Sequence, residues 1–145
     1  MKKIFVLLLL MTAFSISAQK EINTNKKGFA ADGYDVVAYF DTIAAQGTKK
    51  HQTELEGVKY QFTSDKNLQE FKKNPAKFIP QYGGWCAYAI GAKNEKVEVN
   101  PKTFEIRDNK LYLFYNAWGT NTLKLWKEEG AEQLKKQADE NWEVD

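Results

Sequence analysis

One cysteine, one histidine and one arginine are all that 145 residues contain of those types, and the two methionines, Met1 and Met11, both fall at the N-terminal end. Each scarcity removes a class of explanation. A lone Cys86 forms no intrachain disulfide, so packing alone must hold the fold. A closed structural zinc site of cysteine and histidine ligands is excluded by number. The single arginine, Arg107, leaves little for bidentate recognition of phosphate. An excess of one charge is missing too: 21 Lys and Arg stand against 19 Asp and Glu, and Lys2 and Lys3 supply the surplus. Beyond them the formal charge balances, so a nucleic-acid partner is not expected.

Only one long apolar run occurs. Ile4 to Leu10 follow Lys2 and Lys3 and give way to Ser15-Ile16-Ser17-Ala18, the pattern of a secretory signal peptide over residues 1–18, with cleavage before Gln19. The run is shorter than the ~20 residues that span a bilayer, and no cysteine follows it to carry a lipid anchor. A periplasmic or secreted protein is expected, with no stable membrane insertion once the signal is removed. The remainder suits one domain: a flexible polar arm over residues 19–28, then a single domain over residues 29–145.

What is present is concentrated in Asn74 to Gly91. Pro75, Pro80, Gly83, Gly84, Gly91, Tyr82, Trp85, Tyr88 and the only cysteine share that stretch. Fixed φ at proline and free φ at glycine predict a rigid, shaped turn. Around it, Val36 to Phe40 is a β-branched and aromatic run and predicts a buried strand after the turn Asp32-Gly33-Tyr34-Asp35. Val58, Tyr60 and Phe62 alternate with Lys59 and Gln61 behind Glu56-Gly57, which predicts a hairpin. Ser64 and Asp65 predict the start of a helix to about Lys73, with Pro75 opening a further turn. Asp108-Asn109 predicts a second hairpin between Thr103–Arg107 and Lys110–Tyr115. Leu123 and Trp126, the Glu128-Glu129-Gly130 stop, and Leu134, Ala138 and Trp142 at fourfold spacing predict two tail helices. The fold class is therefore α+β: a small antiparallel sheet of two hairpins and an N-terminal strand, packed with short helices and a C-terminal helical tail.

These blocks carry a resemblance. G-V-K-Y-Q-F-T-S-D-K-N-L-Q-E-F-K-K-N-P-A-K-F, Gly57 to Phe78, resembles the core of a YHS domain; G-Y-D-V-V-A-Y-F, P-Q-Y-G-G-W-C-A-Y-A and L-Y-L-F-Y-N resemble the exported, single-domain branch of that family. The resemblance implies metal binding through paired cysteines. The pattern departs at those positions: Thr63 and Asn67 stand where the two thiols belong, and Ala38 where an upstream cysteine follows an aspartate and two residues. Without thiolates a soft-metal site does not carry over there.

Three functional readings remain. The first is an exported binding module that holds copper or another transition metal through Cys86 and His51, with a carboxylate or tyrosine as third ligand. The second is a small-molecule or protein interaction module without metal, in which Tyr34, Tyr82, Trp85 and Tyr88 line an apolar pocket walled by the Pro80 to Gly84 turn, with Asp35 as polar anchor. Core packing is the plainer role for each of those aromatics, and an aspartate beside a turn more often hydrogen-bonds backbone than performs chemistry. The third is a cysteine-dependent enzyme, which requires His51 beside Cys86 as its base. A non-enzymatic module binding a metal ion or small ligand around Cys86 is the leading expectation; oligomeric state is not legible.

Overall fold

Two-residue turns set the plan of the sheets. Glu56 and Gly57 have φ of 50° and 80°, and Asp108 and Asn109 have 50° and 60°, the backbone that lets a two-residue loop follow the twist of its strands. Around the first turn, β1 (Thr48–Leu55) pairs antiparallel with β2 (Val58–Phe62); around the second, β3 (Asn100–Arg107) pairs with β4 (Lys110–Phe114). The two hairpins are built alike. In each, the first strand carries an irregularity, over residues 49–51 and 101–103, before regular pairing resumes. A minimal third hairpin, β5 (Asn116–Ala117) with β6 (Thr120–Asn121), turns through Trp118 and Gly119. The structure is a computed structural model and describes residues 20–145; the expected signal peptide lies outside the described residues.

The helices begin where the sequence offers caps. Ser64 Oγ accepts from Asn67 N at 3.1 Å and starts α1 (Asp65–Lys73), whose last turn holds Lys72 and Lys73 against the helix dipole. Pro75 opens the single turn α2 (Pro75–Phe78). The segment after Pro80 is more than a turn: it leads into α3 (Ala87–Lys93). Asn121 Oδ1 accepts from Leu123 N and Lys124 N to cap α4 (Thr122–Glu129), and Gly130, at φ 111°, separates it from α5 (Ala131–Glu143). Among the described residues no helix is long and apolar enough to cross a membrane.

Packing forms two apolar clusters on either face of β4. Leu111 and Leu113 join Val36, Tyr39, Tyr60, Phe62 and Phe71 in the first; Tyr112 and Phe114 join Ala87, Ile90, Trp126 and Leu134 in the second. A strand buried on both faces explains the unbroken Leu-Tyr-Leu-Phe run. The resulting class is α+β, with small antiparallel sheets, short helices and a C-terminal helix.

Two expectations require correction. The N-terminal strand is absent: residues 38–41 make a 3-10 turn closed by Thr42 at φ 63°. Asp35 Oδ1 accepts from Val37 N and Ala38 N and bends the chain there, so this apolar run is buried as a turn. The arm is not loose over its whole length. Asn23 is buried and donates from its backbone N to Gly83 O at 2.8 Å, and Asn25 Oδ1 accepts from Lys27 N and Phe29 N.

Candidate functional site

Asp35 is fully buried, and both its oxygens are occupied by donors. Oδ1 accepts from Val37 N at 2.9 Å and Ala38 N at 3.1 Å; Oδ2 accepts from Thr63 N, Thr63 Oγ1 and Asn67 Nδ2, each at 2.8 Å. Ala38, Thr63 and Asn67 are the three positions where the YHS pattern would place thiols, and they meet at one carboxylate. The donor set does not fit a soft metal: no sulfur or imidazole is present, and N–H and O–H groups point at both carboxylate oxygens. Asp35 thus ties the 35–38 turn to the start of α1 and is not the polar anchor of a pocket.

Cys86 and His51 do not form a pair. Cys86 is fully buried just before α3, while His51 lies half-buried in the irregular stretch of β1. Among the described residues no group of three or more His, Cys, Asp or Glu side chains is placed to hold a metal ion. The thiol is engaged elsewhere. Tyr115 N donates to Sγ at 3.3 Å, Sγ lies 3.2 Å from Thr122 Oγ1, and Thr122 Oγ1 donates to Tyr115 O at 2.8 Å. Since the threonine hydroxyl has one proton and gives it to that carbonyl, the thiol donates to Thr122. The three bonds close a ring joining α3, α4 and the end of β4, and among the described residues no imidazole is hydrogen-bonded to Cys86.

The five aromatic and polar candidates do not share a pocket. Tyr34 packs against the first cluster, near Asp35, whereas Tyr82, Trp85 and Tyr88 belong to the second. Tyr82 sits at φ 55° in the turn after Pro80 and donates from Oη to Asp139 Oδ1 at 2.7 Å; burial, then that bond, pushes its hydroxyl well above the ordinary tyrosine range. With Pro80, Gly83 and Trp142 it lines an open groove of about 620 Å³ with mixed polar and apolar walls. Trp85 is half-buried and donates from Nε1 to Glu21 O at 3.1 Å.

A smaller and more apolar cavity does adjoin Cys86. It measures about 240 Å³ and is lined by Cys86, Tyr88, Val97, Tyr115, Thr122 and Leu125, with Lys93 and Glu95 also on its wall. Tyr88 Oη donates to Glu129 Oε1 and Oε2 at 3.1 and 3.0 Å and so spans from α3 to α4; partial burial, then Glu129, raises its pKa. Cys86 and Tyr88 were legible as candidates. Val97, Tyr115, Thr122 and Leu125 were not, because ordinary residues from three separate segments become a wall only when α3 and α4 meet the end of β4. No family model, no curated protein and no solved structure matches the chain.

Proposed function

We propose that the chain is an exported YHS-type binding module that holds a small, largely apolar organic ligand, without metal, in the cavity beside Cys86. The observation that carries the reading is the cavity itself: about 240 Å³ of space, apolar along Val97 and Leu125, with the Tyr88 hydroxyl, Lys93 and Glu95 as the few polar groups that would orient an occupant. An apolar cavity of ~150 Å³ takes benzene, so this one suits a substituted single ring, a small fused ring or a short acyl chain. The convergence of Ala38, Thr63 and Asn67 on Asp35 supports the YHS-type architecture and speaks against metal as the cargo.

Calorimetric titration with indole as probe tests the reading. Saturable binding to the wild type and its loss in Leu125→Trp, where the larger side chain fills the cavity, is the expected result. Equal heats in both proteins would remove the cavity as the site.

A further inference from the structure

A second cavity, of about 550 Å³, lies on the opposite cluster, between the 25–32 segment and the β1–β2 hairpin. Its chemistry differs from that beside Cys86. Three lysines line it, Lys26, Lys27 and Lys49, against the single carboxyl group of Asp32. Among the described residues none of the three lysines forms an ion pair.

These lysines are held on shaped backbone. Asn25 Oδ1 accepts from Lys27 N and Phe29 N at 3.0 Å each, Gly28 N donates to Asn25 O, and Asn25 N donates to Phe29 O, which fixes residues 25–29 as a tight loop with Lys26 and Lys27 exposed on it. Lys49 projects from the irregular stretch of β1, the kind of strand defect that re-aims side chains. In the twin hairpin the matching stretch serves the fold: Pro101 O accepts from Tyr39 Oη and Thr103 Oγ1 from Asn116 Nδ2. The first hairpin makes no such use of Lys49.

Gln61 supplies the independent observation. It lies on β2, is 7% exposed, lines the cavity, and no hydrogen bond joins its side-chain amide to the described residues. Beside it, Ala31 and Asp32 hold φ of 50° and 53°, left-handed values that are costly for alanine. Gly33 follows at φ 79°, where a Cβ would come within 2.9 Å of Gln61 Oε1. Gln61 thus borders the same space as Lys26, Lys27 and Lys49.

We propose that this cavity binds a small, multiply charged organic anion, its acidic groups meeting Lys26, Lys27 and Lys49 and a hydroxyl or carbonyl meeting the Gln61 amide. The site is separate from the Cys86 cavity, and the inference does not rest on that reading. The test is an NMR titration of the full mature chain with citrate, with inorganic phosphate and chloride at matched ionic strength as parallel arms. Saturable shifts of the Gln61 side-chain amide and the Gly47 backbone amide with citrate are expected, with the apparent Kd raised about tenfold or more in Lys27→Ser/Lys49→Ser. A response to phosphate as well would widen the ligand class to small polyanions in general. Both lysines are exposed, so unchanged resonances around Cys86 will certify the variant's fold. Shifts no larger with citrate than with chloride, or identical in the double variant, would overturn the proposal.

Discussion

Asp35 shows most directly how much one side chain can hold. Five donors converge on its two oxygens in a fully buried position. Asp35→Ala leaves those donors without their acceptor, at roughly 1 to 3 kcal/mol for each one that stays buried. Thr63 is exposed and can turn to water, so the loss should be about 3 to 5 kcal/mol and not the full sum. Urea denaturation of the variant measures it, and a loss below about 1 kcal/mol would show that the knot is dispensable. The sequence placed Asp35 in a turn at the mouth of an expected strand, and the backbone role of such aspartates was foreseeable from that alone. That Thr63 and Asn67 would be its partners was not, because 28 and 32 residues separate them from it. Trp118 illustrates the opposite case. It is 97% exposed and sits at φ 52° in the two-residue turn between β5 and β6, where a bulky side chain in left-handed backbone costs roughly 1 to 2 kcal/mol. Trp118→Asn is therefore expected to raise the melting temperature; a fall would mean that the ring has packing the exposure does not reveal.

At the scale of elements, the β1–β2 and β3–β4 hairpins and α1 were legible because their determinants are local: a turn dipeptide, an alternation, a serine cap. The Val36 to Phe40 turn and α3 were not. In the first, Asp35 overrides the strand preference of β-branched residues by offering two backbone amides an acceptor. In the second, glycine inside Ala-Tyr-Ala-Ile-Gly-Ala reads as punctuation, yet Gly91 is a packing residue. A Cβ there would lie 2.5 Å from Leu134 O, so α3 and α5 approach each other at a point that tolerates no side chain. Alanine has the higher helix propensity by about 1 kcal/mol, but a backbone carbonyl cannot swing aside as a flexible side chain can. Overpacking should win, and Gly91→Ala is expected to destabilise by a net 1 kcal/mol or more, roughly. Thermal denaturation decides it, and a gain in stability would place the two helices further apart than described.

For the whole molecule, the two clusters share their dependence on buried tyrosines. Burial is the first cause of raised pKa at all four: Tyr60 and Tyr112 are pushed up to about 12, and Tyr39 and Tyr82 higher still. A group whose pKa is higher folded than unfolded contributes stability that is fully present below its unfolded value, here about 10, and is lost as pH rises through the folded value. Denaturation midpoints should accordingly fall between about pH 10 and pH 12, with a late rise of tyrosinate absorbance that coincides with unfolding. Ionisation of all the tyrosines before the fold is lost would contradict the burial of these rings. The α+β class was legible from the order of local elements. Two clusters sharing β4 were not, since nothing in Leu-Tyr-Leu-Phe says that each face meets a different set of partners.

The central claim is that a small organic molecule, and not a metal, occupies the space beside Cys86. The most direct measurement is a proton–nitrogen NMR titration of residues 19–145, first with indole and then, on a fresh sample, with copper(I). Saturable shifts at the Tyr115, Thr122 and Val97 amides with indole, absent from Leu125→Trp, and no stoichiometric response to copper are the results predicted here. Copper shifts that saturate at one equivalent around Cys86 or His51, with the cavity amides indifferent to indole, would contradict it.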